Sequence, residues 1–275
     1  MAASELRPSC IRDSAKRLAG VPVLMYHGLF RRTYSGDPAL SKYSISLSQF
    51  WEQLTAIYES RFRVTPLEEF RCTPENLLTN SLAITFDDGQ TSDYELAFPA
   101  LAERGFAADF FINTSTIGRD GFLTWQQIVS MHSAGMGIHS HSHDHVPLSR
   151  LPAAILKSQL RRSKELLESH IGAPVDFLSV PYGFVNKRVV DTAQEVGYKA
   201  VCHSLNWPAD PAALLIPRVA VYGDTSISEF ARFLAGEPWP YLKRTFRSSV
   251  AYLPKQLLLY YSPRRLGIRV LEEHS

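Results

Sequence analysis

Residues 84–89 read Ile-Thr-Phe-Asp-Asp-Gly. The apolar run from Leu82 to Phe86 reads as a buried strand, and it ends in two adjacent carboxylates, Asp87 and Asp88. Charge at the end of a buried strand is costly unless it is paired or bound to metal. Residues 139–145 read His-Ser-His-Ser-His-Asp-His, four histidines within seven positions. A carboxylate and two imidazoles commonly hold a catalytic zinc while leaving one coordination position open. A second carboxylate that does not ligate can then serve as the base of a metal-assisted hydrolase. The two stretches therefore read as halves of one metal site. His141 and His145, spaced i and i+4, would share one face if the segment were helical.

Outward from these stretches, polar residues recur at the ends of apolar runs. Val21 to Tyr26 ends at His27-Gly28, and Phe177 to Val180 leads into Pro181-Tyr182-Gly183. Ala107 to Ile112 and Tyr198 to Cys202 read as further strands, and residues 30–44 as a loop. Between the strands, apolar residues follow helical spacing. Leu47, Phe50, Leu54 and Ile57 do so behind a capping box of Ser46 and Gln49. Tyr94, Ala97, Phe98 and Leu101 mark a helix stopping near Gly105, and Thr124 to Ala134 another closed by Gly135. Leu156, Leu160, Ser163 and Leu167 precede Gly172, and Val189, Ala193 and Val196 mark a further helix. Strands alternating with helices of about 10–15 residues indicate parallel βαβ units. His27, Asp87-Asp88, His141/His145 and Tyr182 all fall at or just after a strand's C-terminal end. That end is the catalytic face of parallel α/β barrels.

The chain has 275 residues, 45% hydrophobic and 20% charged, which is ordinary globular composition. Its length fits one α/β barrel of about 250 residues as well as two smaller domains. A net charge of +2 argues against a dedicated nucleic-acid binder. Cys10, Cys72 and Cys202 are odd in number and widely spaced, so free thiols in a reducing compartment are expected. Met1 to Gly20 shows no signal-peptide core, and no apolar run of about 18 residues is present to span a bilayer. Cytoplasmic residence is the expectation. There is no Gly-x-Ser-x-Gly elbow, phosphate loop or dinucleotide fingerprint.

In its motifs the chain resembles the polysaccharide deacetylases of the carbohydrate esterase family 4 type. Thr85-Phe86-Asp87-Asp88-Gly89 matches the first family motif, and His141-Ser142-His143-Asp144-His145 matches the second, His-Ser/Thr-x-x-His. Pro181-Tyr182-Gly183 matches the end of the third, Arg-x-Pro-Tyr. The resemblance runs from about Val21 to Leu234. It implies a distorted (β/α)7-type barrel over residues 20–235, one catalytic domain flanked by an N-terminal extension (1–19) and a C-terminal helical extension (236–275). It implies a hydrolase that removes an N-acetyl group from an amino sugar of a polysaccharide, glycan or lipid-linked saccharide. The cofactor would be a divalent metal, zinc by preference, with cobalt and nickel accepted by the same ligands. On the matching positions, Asp88, His141 and His145 look like the metal ligands. Asp87 looks like the base that activates water, and the Tyr182 backbone N–H like an oxyanion donor. His139 and His143 fall outside the ligand positions and read as packing or supporting residues.

Two departures from the family pattern matter. The family's motif-three Arg, which steadies the catalytic Asp, is Ser179 here, and Arg218, following Leu-Leu-Ile-Pro, is the candidate replacement. No late Leu-x-His motif supplies the acid histidine. Val-Pro-Val-Leu-Met-Tyr-His instead resembles the exopolysaccharide N-deacetylases whose acid comes from the first strand, which assigns that role to His27. Asn206-Trp207 is only faintly similar to the fourth motif, and Trp207 reads as a core residue in preference to the floor of a sugar site. An O-acetyl esterase or cyclic-amide hydrolase is the alternative within hydrolases. A non-catalytic glycan-binding relative is the alternative outside them, and the intact Asp and His set argues against it.

Residues 236–275 carry seven Lys/Arg (Lys243, Arg244, Arg247, Lys255, Arg264, Arg265, Arg269) against three Glu, interleaved with aromatic residues and leucines. Such a segment either closes the barrel as a helix with a basic outer face or lies on an anionic membrane surface. The second case would bring a lipid-linked saccharide within reach.

Overall fold

The parity of side chains along each strand organises the barrel. In the computed structural model, residue 18 and residues 20–32, 42–74, 77–78 and 80–246 are described. The elements are β1 (Val23–Tyr26), β2 (Leu29–Phe30), β3 (Ile45–Ser46), α1 (Leu47–Glu59), β4 (Arg63–Val64), α2 (Leu67–Cys72) and β5 (Ser81–Phe86). A π-helical turn, Asp93–Ala97, leads into α3 (Phe98–Glu103), followed by β6 (Asp109–Ile112), α4 (Trp125–Ser133), β7 (Gly137–Ser140) and α5 (Ala153–Ile171). Then come β8 (Phe177–Ser179), α6 (Lys187–Val196), β9 (Ala200–His203), β10 (Leu215–Pro217), β11 (Val219–Ala220) and α7 (Ile227–Leu234).

The main sheet runs β10-β9-β8-β7-β6-β5-β1-β11, with every pair parallel. Its two edges, β10 and β11, are consecutive in sequence and separated only by Arg218. Arg218 N–H donates to His203 O on one side, and Val221 N–H to Met25 O on the other. One stretch of chain therefore closes the sheet on itself. Counted as one broken strand, β10 and β11 complete a seven-stranded barrel of the expected (β/α)7 type. β4 adds to β5, and β2 pairs with β3 in a separate ribbon.

Successive strand residues point to opposite faces. Leu24, Tyr26, Ile84, Phe86, Phe110 and Ile138 pack outward against Phe50 and Leu54 of α1, Ile128 of α4 and Leu160 of α5. Val23, Ala83, Phe111, Phe177, Ala200 and Ile216 fill the interior, joined by Leu67 and Phe70 of α2. Leu67 N–H donates to Asp109 at the start of β6, so α2 plugs the N-terminal end of the barrel. Further along the same inward parity, polar side chains enter the barrel's upper layer: Thr85 from β5 and Asp87 after it, His141 after β7, Ser179 from β8 and His27 just past β1.

Local signals explain most helix boundaries. Ser46 and Gln49 form the expected capping box, and Thr124 with Gln127 forms a second. α5 and α6 end at Gly172 and Gly197, both left-handed, a geometry glycine adopts without steric cost. The helix expected over Tyr94–Leu101 begins as the π-helical turn and becomes α-helical only at Phe98, where Pro99 occupies the first turn. Proline has no N–H to give, so it suits a first turn and breaks a continuous ladder. The histidine segment is not helical. β7 stops at Ser140, and Ser142 (φ 64°) and His145 (φ 50°) take left-handed conformations.

Residues 1–17, Cys10 among them, and residues 247–275 lie outside the described residues. The described start of the C-terminal extension is helical over residues 238–246 and packs on the barrel. Tyr241 is buried there and donates to Phe233 O at 2.8 Å. Among the described residues no helix is long and apolar enough to cross a membrane.

Candidate active site

Asp87 follows the last residue of β5, and its backbone N–H donates to Tyr26 O of β1 at 3.0 Å. Its side chain points inward and meets Arg218 in a two-pronged pair, Nη1 to Oδ1 and Nη2 to Oδ2, each 2.7 Å. Ser179 Oγ donates to the same Oδ2 at 3.1 Å and accepts from Arg218 Nη2 at 2.7 Å. Arg218 also reaches Thr85 Oγ1 and lies over the Phe111 ring, 0% exposed. Burial pushes the Asp87 carboxyl up, but the charges of Arg218, His141 and His27 outweigh it and hold it below its ordinary range. The cation expected to stand in for the motif-three arginine thus reaches Asp87 from the barrel seam.

Asp88 sits one residue on, at φ 79°. Its Oδ1 lies 3.4 Å from His141 Nε2 and 3.2 Å from His145 Nε2. One donor atom from each of the three residues lies within 4.8 Å of the other two. His141 Nδ1 is 2.9 Å from Ser179 O. A carbonyl only accepts, so Nδ1 carries a hydrogen, and Nε2 is the ring atom turned toward Asp88. Carboxylate and imidazole lone pairs converging on one point fit a divalent cation, and the carbonyl behind the histidine is the usual outer support of such a ligand. The loop carrying Asp88 packs on the end of β1. A Cβ at Gly28 would sit 2.4 Å from Gln90 Oε1, so a larger residue there would make the Gln90 side chain move.

His27 ends β1, and among the described residues no hydrogen bond reaches its buried Nδ1. Burial lowers its pKa, with Asp88 and Asp87 opposing. Its ring lies 5.1 Å from that of Tyr43, which lies 5.5 Å from Tyr222. Tyr182 follows Pro181 at φ 62°, with its ring 4.9 Å from His145. Burial, and then the Asp88 charge, raise its hydroxyl pKa. Positive φ in a non-glycine residue costs about 1–3 kcal/mol and clusters at functional sites. Four of the six such residues described, Asp88, Ser142, His145 and Tyr182, surround this centre. The strain is therefore concentrated where the donors converge.

The structure brings Asp87, Asp88, His141, His145, Arg218, His27 and Tyr182 to one end of the barrel. It keeps His139 and His143 apart from the donor set. His139 Nε2 pairs with Asp109 Oδ1 at 3.0 Å, a layer deeper, between Phe111 and Phe177. His143 Nδ1 meets Thr114 Oγ1 at 2.8 Å. Trp207 packs against the outer core, 6.4 Å from Tyr241. Three residues escaped the sequence reading. Ser179, read there only as a missing arginine, bonds Asp87 through its hydroxyl and orients His141 through its carbonyl. The only sequence signal for that is its inward parity with Phe177. Tyr43 and Tyr222 flank His27, and nothing in their local sequence announces it.

Asp93, behind the same loop, is buried, and among the described residues neither carboxylate oxygen has a partner in good hydrogen-bond geometry, the Gln90 backbone being the nearest support. Burial and the nearby Asp88 and Asp87 charges hold its pKa well above the ordinary value, with partial relief from the Gln90 backbone. A raised carboxyl pKa destabilises the fold above the unfolded-state pKa and is harmless below it. Asp93→Asn is expected to stabilise the protein at neutral pH by about 1 kcal/mol, a rise of about 2–4 °C in Tm, with little change at pH 4. A calorimetric scan at both pH values checks this; an unchanged or lower Tm at neutral pH would count against the unpartnered carboxyl.

Comparison with known proteins fits this centre. The polysaccharide deacetylase family model matches residues 75–201, which include Asp87, Asp88, His141, His145 and Tyr182. YxkH of Bacillus subtilis, named as a polysaccharide deacetylase, is 28% identical over 184 residues, 66% of this chain and 63% of that one. The poly-beta-1,6-N-acetyl-D-glucosamine N-deacetylase of Staphylococcus aureus is 25% identical over 183 residues, 60% of this chain and 63% of that one. The chain thus spans less than two thirds of the length of these curated relatives. The deacetylase PplD of Streptococcus pyogenes, solved in complex with acetate, shares the fold at a TM-score of 0.72 and 21% identity, covering 81% of this chain and 99% of that one. The family motifs thus converge on one barrel end, and over residues 75–201 the chain is similar to the polysaccharide deacetylase family.

Proposed function

We propose that this chain is a metal-dependent N-deacetylase acting on an amino sugar of a polysaccharide, glycan or lipid-linked saccharide. One observation carries the reading: Asp87, paired with Arg218 and Ser179 and held below its ordinary pKa, lies beside three residues whose donor atoms converge closely enough to hold a metal. Asp88, His141 and His145 would hold a divalent ion, zinc by preference, which when bound supplies Lewis acidity toward water and the acyl carbonyl.

The chain's own groups do the rest. Arg218 and Ser179 fix both Asp87 oxygens, so the carboxylate meets the incoming water in one orientation and accepts its proton. Held below its ordinary pKa, Asp87 stays available as a base through the neutral range. The Tyr182 N–H donates to the oxyanion, and a single donor of that kind is worth about 3 kcal/mol. An amine leaves poorly unless protonated, and His27 is the group placed to protonate it. Burial makes its imidazolium a stronger acid, which favours transfer to the departing nitrogen.

The test is acetate release from a panel of N-acetylated saccharides and a chromogenic O-acetyl ester, with zinc, with cobalt, and after chelation. Chelation is expected to remove activity on the N-acetyl sugars, and added zinc or cobalt to restore it. Release from esters alone would move the assignment to an O-acetyl esterase. Metal binding with no release from any substrate would favour a glycan-binding role. His141→Ala is expected to lose both metal and turnover; a variant that kept its metal would remove His141 from the ligand set. Cys72 and Cys202 are both free thiols, which supports residence in a reducing compartment.

A further inference from the structure

An imidazole that hands a proton to a departing nitrogen must be held in one orientation. Among the described residues no hydrogen bond fixes the buried Nδ1 of His27. The described restraint on its ring is packing against Tyr43, with centroids 5.1 Å apart and planes tilted by 44°. Tyr43 is backed in turn by Tyr222, edge-on at 5.5 Å and 67°. Aromatic rings at such separations attract beyond their buried area and favour tilted or edge-to-face arrangements. The segments that carry the two tyrosines are joined by the backbone: Gly223 N–H donates to Lys42 O at 3.0 Å. Gln49, from the cap of α1, donates through Nε2 to Gly223 O at 3.0 Å.

The turn that carries Tyr222 is held from behind by Arg244. Arg244 Nη1 donates to Ala220 O (3.0 Å) and Nη2 to Thr225 Oγ1 (2.8 Å), so the guanidinium bridges the chain on either side of Tyr222. Thr225 Oγ1 also accepts the Tyr222 N–H at 2.9 Å. Arg244 Nε reaches Glu229 Oε1 at 3.2 Å. The guanidinium is buried, and its centre lies 4.8 Å from the Tyr222 ring centroid, within the range of a cation–π contact. With each of its nitrogens engaged, it cannot turn off the ring without breaking a bond. A line of contacts therefore runs from Arg244 through Tyr222 and Tyr43 to His27.

We propose that Arg244, Tyr222 and Tyr43 are positioning residues for the His27 imidazole, so that the C-terminal extension takes part in amide cleavage through Arg244. Proton transfer needs an approach of about 2.6–3.2 Å between heavy atoms, so loosening the packing behind the ring is felt in the transfer. The effect falls on one kind of bond. The amine of an amino sugar leaves poorly unless protonated, whereas nitrophenolate leaves an activated ester without a proton. The acid role of His27 rests on the deacetylase reading above; the packing behind its ring does not.

The experiment uses the full chain and two substrates, an N-acetylated saccharide and p-nitrophenyl acetate. Tyr43→Leu, Tyr222→Leu and Arg244→Met should each lower turnover of the saccharide about tenfold more than turnover of the ester. His27→Ala should show the same split, and a larger one. Tyr43→Phe and Tyr222→Phe keep the ring and should restore the wild-type ratio. Tyr222→Leu leaves the Arg244 bonds to Ala220 and Thr225 in place, which separates loss of the ring from loosening of the barrel seam. A second readout needs no turnover. The ring-proton NMR signals of His27, identified by their absence from His27→Ala, should shift in Tyr222→Leu and in Arg244→Met. Equal losses on the two substrates, phenylalanine variants no better than the leucine ones, or unmoved His27 signals overturn the proposal. A wild type that cleaves only the ester, or neither substrate, sinks the deacetylase reading, and the His27 signals then decide whether the packing holds the ring.

Discussion

Asp87→Asn is expected to lower acetate release by about three orders of magnitude or more while leaving the metal content of the purified protein unchanged. The metal should stay because Asp87 is not among the converging donors; its oxygens are taken by Arg218 and Ser179. Turnover should fall because an amide cannot accept the proton of the attacking water. The same substitution strands a fully buried guanidinium. Breaking a buried pair by removing one partner costs about 3–5 kcal/mol, so the variant should also melt lower. Metal analysis, steady-state rates and a melt on one preparation separate the effects. A rate near wild type would refute the base assignment. Lost metal would move Asp87 into the ligand set.

Arg218→Met should be nearly as damaging, and for a different reason. Asp87 would remain but lose the charge that opposes its burial, so its pKa should rise and the acid limb of the pH–rate profile should move to higher pH. The sign for stability follows from the depressed folded-state pKa of Asp87. The pair stabilises the fold above the unfolded-state pKa, and that contribution is lost as pH falls through the folded-state pKa. The stability gap between wild type and Arg218→Met should therefore be about 3–5 kcal/mol near neutrality and shrink on acidification. Arg218→Lys should recover only part of the loss, because a single ammonium cannot reproduce the two-pronged contact. The sharper test is the double variant Ser179→Arg/Arg218→Ser, which returns the arginine to the motif-three position. Ser179 Oγ and the Arg218 guanidinium already share the same Asp87 oxygen. The double variant should outperform Arg218→Ser alone. If it does not, the two positions are not interchangeable sources of the cation.

These effects depend on how separate stretches of chain meet. The strand-end carboxylates, the histidine cluster, the Pro-Tyr-Gly turn and the capping box at Ser46 were legible in the sequence because each is a local pattern. A strand's period of two places His27 and Asp87 on the barrel-facing side whatever the rest of the chain does, and alternating strands and helices commit the chain to parallel pairing. The expected helical face for His141 and His145 did not form. The chain leaves β7 through left-handed residues instead, and the tertiary fold keeps both rings on Asp88, 4.9 Å apart from each other.

The sequence by itself determined the fold class and which side chains lie at the catalytic end of their strands, because periodicity, capping and motif spacing act over a few residues. Only the tertiary structure decided which cation serves Asp87, since Arg218 lies 131 positions away and reaches it because the last strand breaks there to close the sheet. It alone showed Ser179 as a working member of the site and not just a missing arginine. It alone fastened the start of the C-terminal extension to the turn that carries Tyr222. Those outcomes depend on barrel closure and on packing between distant segments, which no local pattern encodes.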